Sequence, residues 1–383
     1  MTKKRLLLAG GGTAHLDVLR RFARQPEPAA ELTLVDPESA VVHPGMAAGL
    51  VAGHYARSEA CIELAPLAAA AGASFLRDRV VRVDLYARVA HLASGAVVPF
   101  DLLSLEVGAL PDLSTPGARE HAIALRPFAS FLSAWEALQA DAAVDRVRSI
   151  AVVGNGAADV EVLLAMQYRL ASDLGANAPR FLLLSDLPSL LPPHSPTVRR
   201  ILGRLLVARD VVLALGSAVA TVESGALITT AGRRLAADRV IWSRSSSGDP
   251  WLAASGLDCD HAGRVRINDC LQSTSHPFVL AVGDCTSRQR EPDTHSDHVP
   301  RRADSALAAN LRRAVRGEPL RPSLPRRRGI SLISTGDRQA VASRGPLTAA
   351  GAWVWRLKNR RDRRVLGRYR FPVAAELPTP DER

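Results

Sequence analysis

The chain of 383 residues lacks several features that would place it in a special class. No apolar run reaches the roughly 18 residues of a membrane-spanning helix. The basic start at residues 3–5 leads into an apolar run that is too short for a secretory signal. The four cysteines, Cys61, Cys259, Cys270 and Cys285, are not spaced as CxxC, so neither a zinc site nor a redox disulfide is indicated. These absences predict a cytoplasmic globular protein with isolated thiols.

Positive charge is in excess but unevenly placed. The formal net charge is +11, and residues 311–371 hold 17 Lys and Arg against 3 Asp and Glu. The rest of the chain is therefore slightly acidic. Such asymmetry indicates an anionic partner for the C-terminal part, either a membrane surface or a nucleic acid.

The first forty residues follow the order strand, glycine turn, helix, strand, acid. The turn begins at Gly10, which allows a tight bend, and Gly12 lets the backbone approach a pyrophosphate at the helix N-terminus. Asp36 ends the second strand, where a carboxylate accepts hydrogen bonds from ribose hydroxyls. The pattern predicts dinucleotide binding, with a plain βαβ turn as the alternative. His15 stands at the third glycine position, so the helix and strand must pack differently there.

The opening pattern recurs 144 residues later. A strand over residues 148–153 leads to Gly154 and Gly156, and a helix over residues 160–171 precedes a strand over 180–184. This internal repeat of a βαβ unit supports nucleotide binding at both copies. In the second copy, however, Asp159 takes the third glycine position, where a carboxylate opposes anion binding.

Two later segments complete the pattern. An apolar strand within residues 276–282 ends in Gly283-Asp284, and Trp353 to Leu366 is predicted as a basic helix that carries two tryptophans. The order of these features resembles the flavin-dependent pyridine nucleotide–disulfide oxidoreductase superfamily. The motifs Gly45-Met46, residues 52–55, 116–122 and 331–338 resemble type II NADH dehydrogenase-like proteins, in particular the group associated with selenophosphate synthetase.

The resemblance implies an α/β fold with two dinucleotide-binding, Rossmann-like domains of the glutathione-reductase type and a small C-terminal region. It divides the chain into a first part of the FAD-binding domain (1–115) and an NAD(P)-binding-like domain (116–249). The second part of the FAD-binding domain follows (250–322), and then a basic C-terminal region (323–383).

The resemblance also assigns cofactor positions. FAD is expected to contact ten positions of the FAD-binding domain, and NAD(P)H is expected to contact two positions of the NAD(P)-binding-like domain. The FAD positions are Gly10, Gly12, Thr13, Ala14, His15, Asp36, Val81, Gly108, Gly283 and Asp284, and the NAD(P)H positions are Gly154 and Gly156.

Four residues are candidates for catalysis. Glu161 falls on the acid that lies near the nicotinamide and the flavin in type II NADH dehydrogenases; its alternative is a helix-face carboxylate in a salt bridge. His43 is placed near the flavin by analogy, with a locally bonded turn histidine as the alternative. His295 and His298 are acid–base candidates, since imidazole titrates near neutrality, and otherwise are surface loop residues.

Two departures from the family pattern bear on the chemistry. The paired cysteines beside the flavin are absent, which excludes disulfide reduction. The turn that usually ends the nicotinamide domain reads Ser243-Arg244-Ser245 instead of small residue–Thr–Gly. Together with Asp159, this change weakens the second nucleotide site, and Arg244 is free to pair with Asp159 or with a phosphate.

The function predicted first is an FAD-dependent oxidoreductase that passes electrons from NAD(P)H to a quinone-like or other small acceptor. A second hypothesis keeps FAD, drops the nicotinamide and oxidises a dedicated small molecule. A third is a flavin-bound, non-enzymatic partner of another protein.

The basic C-terminal helix predicts peripheral contact with an anionic membrane. Tryptophan favours the level of the lipid headgroups, and arginine is attracted to anionic lipid. The alternative is a solvated helix with its tryptophans in the core. No motif or aromatic platform predicts a nucleic-acid partner, and no oligomeric state is predicted.

Overall fold

The computed structural model describes residues 3–244, 246–288, 303–323 and 329–371. The first part of the chain forms β1 (Lys4–Ala9), α1 (Thr13–Arg24), β2 (Ala30–Asp36), β3 (Ala40–Val42), α2 (Ala47–Val51), α3 (Arg57–Ala60), β4 (Cys61–Glu63), α4 (Leu64–Ala70), β5 (Ser74–Arg77), β6 (Val80–Asp84), β7 (Val89–Leu92), β8 (Val97–Pro99), β9 (Leu102–Leu105) and β10 (Leu110–Pro111).

The middle part forms α5 (Ala118–His121), β11 (Ala122–Ala124), α6 (Phe128–Ala143), β12 (Ser149–Val153), α7 (Ala157–Leu174), β13 (Arg180–Leu184), α8 (Pro196–Ala208), β14 (Val212–Ala214), β15 (Val219–Glu223), β16 (Ala226–Thr229), β17 (Arg234–Ala236), β18 (Arg239–Trp242) and β19 (Ser246–Ser247). The last part forms α9 (Pro250–Ala254), β20 (Val265–Ile267), β21 (Val279–Ala281), β22 (Thr286–Arg288), α10 (Ala303–Arg316), β23 (Ser331–Ser334), β24 (Ala340–Arg344), β25 (Leu347–Gly351) and α11 (Ala352–Gly367).

Two five-stranded parallel sheets carry the fold. The first has the order β21-β9-β1-β2-β5, so the late strand β21 returns to the sheet that the N-terminus begins. Leu8 of β1 pairs with Leu34 of β2, and both side chains are fully buried. Continuous apolar strands such as β1 are expected where helices cover both faces of a parallel sheet.

The second sheet repeats this arrangement with the order β11-β18-β12-β13-β14. Val153 at the end of β12 lies between Leu184 of β13 and Trp242 of β18. Separate buried clusters cover this sheet and the first one. The observed architecture confirms the predicted α/β fold class, whereas the exact domain boundaries stay a prediction.

Each parallel sheet has a topological switch point, where successive connections run to opposite sides of one strand. From β1 the chain crosses through α1 to β2 on one side, while β9 lies on the other side. In the second sheet β12 has the same position between β13 and β18. Ligands of open α/β sheets bind at the carboxyl ends of the strands at such switch points.

The C-terminal region packs onto both halves of the protein. Strands β23, β24 and β25 form an antiparallel sheet, and α11 follows them. The sheet contacts α7 through β23, and α11 contacts the turn around Gly45. This confirms the predicted basic helix. Among the described residues, none of the helices has both the length and the apolar character needed to cross a bilayer.

Candidate functional site

The glycine turn after β1 has the geometry of a dinucleotide cradle. Gly10 has φ +96°, a conformation that favours glycine, and a Cβ there would overlap the backbone carbonyl of Glu106. Gly12 is the residue before α1, and Thr13 begins the helix. The N–H groups of the first helical turn, which have no acceptor within the helix, therefore point into the cradle, where an anion is stabilised.

Asp36 closes the cradle at the end of β2. Its Oδ2 accepts a hydrogen bond from Gly11 N at 2.5 Å, and its Oδ1 accepts one from Glu38 N at 2.8 Å. Burial raises the pKa of Asp36, while the two N–H donors oppose that rise. The predicted ribose carboxylate is thus fixed beside the glycine turn.

His15 explains how the helix packs without a third glycine. Its buried imidazole lies 2.6 Å from Gly10 O through Nδ1 and 2.8 Å from Ser104 Oγ through Nε2. Burial lowers the pKa of His15 to about 4, so the ring is neutral near pH 7. A neutral ring donates a hydrogen bond from Nδ1 to Gly10 O and accepts one at Nε2 from the Ser104 hydroxyl. The ring therefore links α1 to β9.

An acid fills the mouth of the first cradle. Glu106, the residue after β9, accepts from Ala14 N at 3.0 Å and from His15 N at 2.7 Å. A Cβ at Gly12 would overlap its carboxyl group. Glu106 was not predicted as a site residue; the available signal was an acid at the end of an otherwise apolar strand.

Asp284, the predicted contact to the ribityl part of FAD, lies just after β21. Its Oδ2 is 2.9 Å from Arg126 Nη1, and both side chains are nearly half exposed. A cation from the middle part of the chain therefore faces the predicted cofactor carboxylate. Gly283 packs beside Glu106, since a Cβ there would lie 3.5 Å from Glu106 Cγ. Gly108, another predicted FAD position, has φ +74°, a conformation that favours glycine.

Among the described residues, Val81 makes no contact that brings it to the cradle. Val81 lies on β6, where the register with β7 shifts, and its side chain is 41% exposed. His295 and His298 lie outside the described residues. All three assignments stay predictions.

The second cradle is capped by its own acid. Asp159 Oδ2 accepts from Gly156 N at 2.7 Å, and Asp159 Oδ1 accepts the Ser243 hydroxyl at 2.5 Å. Asp159 is buried, and a Cβ at Gly154 would come within 2.5 Å of it. The carboxylate predicted to oppose a phosphate therefore does not turn away from the cradle but closes it.

The cleft above this cradle is narrow. It is lined by Gly154, Ser185, Asp186 and Arg244 among others, and its cavity volume is about 20 Å³. This is room for little more than one water molecule, which needs roughly 10–15 Å³. Arg244 Nη2 lies 3.9 Å from Asp186 Oδ2, so its cation faces the acid that follows β13.

A cluster of charged side chains lies where α11 meets the turn before α2. Lys358 Nζ is 2.9 Å from Asp362 Oδ2 and donates to Gly45 O. His43 Nε2 lies 3.8 Å from Asp362 Oδ1. Burial raises the pKa of Asp362, but His43 and Lys358 outweigh it and hold this pKa below its usual value. His43 therefore faces a carboxylate of the C-terminal helix, in addition to its local backbone contacts.

Glu161 approaches the same cluster from α7. Its Oε1 accepts from Ser334 N of β23 at 2.6 Å. Desolvation raises the pKa of Glu161, and the charge of Lys358 opposes the rise. Two of the four predicted catalytic residues, His43 and Glu161, thus each interact with charged side chains of α11.

Lys358 and Asp362 lie within the predicted basic helix, but neither was identified from the sequence as an inward-facing residue. Each side chain is only 10% exposed. The signal that identifies them is spacing: with Val354 and Leu366 they recur every four residues on one helix face, and all four are buried.

The two glycine turns at the switch points of two parallel sheets are typical of a protein with two dinucleotide-binding, Rossmann-like domains. A family model described as pyridine nucleotide-disulphide oxidoreductase matches residues 4–309. The chain belongs to this family of oxidoreductases, which use FAD and NAD(P)H as cofactors.

Individual relatives narrow the comparison. An NADH dehydrogenase-like protein of Mycobacterium tuberculosis is 23% identical over 251 residues, 63% of each chain. The type II NADH:quinone oxidoreductase of Haemophilus influenzae is 25% identical over 229 residues, 54% of this chain and 50% of that one. The chain thus matches less than two thirds of the length of these curated relatives.

The fold comparison covers more of the chain. The crystal structure of sulfide:quinone oxidoreductase from Aquifex aeolicus superposes with a TM-score of 0.78 at 19% identity, covering 96% of this chain and 91% of that one. At this identity the likeness shows the shared fold.

Proposed function

We propose that the protein is an FAD-dependent oxidoreductase that accepts electrons from NAD(P)H and passes them to a quinone-like or other small acceptor. No redox disulfide takes part, since all four cysteines are free. The observation that carries the proposal is the buried cluster in which His43 and Lys358 face Asp362 and the charge of Lys358 acts on Glu161. The names of the quinone-reducing relatives support the acceptor class.

The residues of the first cradle fit FAD in their backbone geometry. Gly10 and Gly12 leave room for a pyrophosphate, the N-terminus of α1 supplies its donors, and Asp36 stands where a ribose binds. Glu106 must leave the helix N-terminus for this to occur. Bound FAD supplies a ring that takes up a hydride and releases electrons singly or in pairs.

The charged cluster would serve proton and charge balance beside that ring. Glu161 with a raised pKa holds a proton more readily than an exposed acid does. Lys358, held by Asp362 and Gly45 O, fixes one positive charge close to Glu161. Reduction of a quinone-like acceptor consumes protons, and we assign their delivery to the side chains of His43 and Glu161.

A second candidate function keeps FAD and dispenses with the nicotinamide. It is favoured by the buried Asp159–Ser243 pair, which leaves the second cradle with an acid where a pyrophosphate would bind. Such an enzyme would oxidise a dedicated small molecule. Replacing Asp159 therefore distinguishes the two candidate functions.

Anaerobic stopped-flow mixing of the FAD-loaded protein with NADH or NADPH tests the choice. We expect the flavin absorbance to bleach at a rate that saturates with nicotinamide concentration. Restoring the family glycine with Asp159→Gly should lower the half-saturating concentration, because it removes a buried negative charge from the phosphate site. Glu136→Gln, an exposed acid on α6, is the matched control.

The other outcomes are equally clear. Bleaching in the Asp159→Gly variant alone favours the second candidate. Absence of bleaching in both proteins, while dithionite still reduces the flavin, contradicts electron uptake from NAD(P)H.

We further propose that α11 docks the protein on an anionic membrane. Its outward face presents Trp353 (57% exposed) and Leu357 (54% exposed), and Leu347 at the preceding strand is 70% exposed. Arg360 and Arg364 lie on the same face. Apolar side chains flanked by arginines are typical of interfacial helices, and a quinone-like acceptor dissolves in the bilayer that such a helix would reach.

A further inference from the structure

The carboxylate of Glu106 sits on the helix N-terminus that the family uses for cofactor phosphate. Glu106 reaches from the end of β9 to the first turn of α1, across the switch point of the first sheet. Its two oxygens take the N–H groups of Ala14 and His15, one each. Its side chain is only 10% exposed. These contacts satisfy donors that a helix start otherwise leaves unpaired.

The space around Glu106 is the space that a phosphate would need. Gly12 has no side chain, and the volume that its missing Cβ leaves free is filled by the Glu106 carboxyl group. The ring of His15 lies 3.8 Å from Glu106 Oε2, but it is held neutral by burial. The field of the helix N-terminus and the two N–H donors therefore favour an anion at this point.

We propose that Glu106 is an internal competitor for the cofactor, a carboxylate that occupies the phosphate position until FAD displaces it. The inference rests on the proposed function, in which FAD binds the first cradle. The N–H groups of Ala14 and His15 cannot serve a carboxylate and a phosphate together, and two anions within a few ångströms repel each other. Binding of FAD therefore requires the Glu106 side chain to rotate away.

Displacement of Glu106 by FAD affects the free energy of folding and the free energy of FAD binding in opposite directions. The bonds from Glu106 stabilise the protein that lacks FAD, because they cap α1 and neutralise its N-terminus. By linkage, the same bonds lower the affinity for FAD by the amount lost on displacement. Asp159 caps the second cradle in a different way, since it projects from the helix itself and is held by Ser243.

The experiment compares FAD-free full-length protein in the wild-type form with Glu106→Ala and Glu106→Gln. Glu120→Ala, an exposed acid on α5, is the control with the same charge change. FAD affinity is measured by quenching of flavin fluorescence, and thermal unfolding is followed without FAD. We expect Glu106→Ala to bind FAD about tenfold or more tightly than wild type, because each 1.4 kcal/mol of competition is about a factor of ten.

The same variant should unfold at a lower temperature when FAD is absent. Glu106→Gln keeps one acceptor oxygen and should fall between wild type and Glu106→Ala in both measurements. Glu120→Ala should match wild type. If Glu106→Ala does not fold, Glu106→Gln alone must show the tighter binding.

Weaker or unchanged FAD affinity in the Glu106 variants overturns the competitor role, because Glu106 would then contact the cofactor or stay clear of it. Failure of the proposed function looks different. In that case neither wild type nor any variant binds FAD, and the inference falls with it.

Discussion

At the scale of single residues, the departures from the dinucleotide motif are filled by specific side chains. His15 could be recognised from the sequence as a replacement for the third glycine. Its bridge to Ser104 could not, because the partner lies 89 positions along the chain on β9. Glu106 was missed for a related reason: a terminal acid in an apolar strand says nothing about which way its side chain turns.

His15 predicts a specific pH dependence of stability. Its pKa is about 4 in the folded protein and about 6.5 in the unfolded chain, so the unfolded chain binds more protons between these values. Stability is therefore full above pH 6.5 and falls as the pH decreases toward 4. The loss from this residue reaches roughly 3 kcal/mol at pH 4.

Urea unfolding between pH 4 and pH 7.5 measures this contribution. His15→Gln should be less stable than wild type near neutrality, yet it should lose about 3 kcal/mol less on acidification. Other titrating groups are shared by the two proteins and cancel in the difference. Parallel pH profiles would show that His15 is protonated in the folded state or is not buried.

At the scale of elements, helix α11 has two faces with different roles. The sequence predicted the helix from Trp353 to Leu366, close to its observed extent. It did not predict that Lys358 and Asp362 belong to the inner face, because a run rich in arginine reads as solvated throughout. The groups that hold Lys358 and Asp362 on the inner face are the His43 side chain and the Gly45 carbonyl. Both come from a turn about 315 residues earlier.

The inner face can be tested by breaking its ion pair. Asp362→Ala leaves Lys358 buried without its carboxylate, and we expect a loss of about 3 kcal/mol in unfolding free energy. The double variant Lys358→Met/Asp362→Leu removes both charges and should cost less than the single change. Urea unfolding gives both values. A double variant as unstable as the single one would mean that packing, and not the unpaired charge, sets the cost.

The outer face predicts binding to anionic vesicles. Trp353→Ala/Leu357→Ala should reduce co-sedimentation with vesicles that contain phosphatidylserine, and wild-type binding should weaken as salt rises. Tyr86→Ala, which removes a fully exposed aromatic side chain elsewhere, is the control. Undiminished binding by the double variant would contradict docking through this face. Point changes are preferable to deletion, because the inner face of α11 is part of the core.

At the scale of the whole molecule, the repeated βαβ unit made the architecture predictable. Parallel strands need crossovers, so the strand–turn–helix–strand order at residues 3–36 and 148–184 strongly limits the arrangements available. The return of β21 to the first sheet agrees with the expectation that residues 250–322 rejoin the first domain. The site was less predictable, because its acidic residues are far apart in the sequence and lie near one another only in the packed fold.

The most direct test of the whole scheme is the uptake of FAD by the purified chain. Reconstitution followed by gel filtration and an absorbance spectrum gives the ratio of flavin to protein. A flavin laid along α1 and reaching Asp284 predicts a yellow protein with equimolar FAD. A colourless protein that takes up no FAD would contradict the assignment of the first cradle and every function built on it.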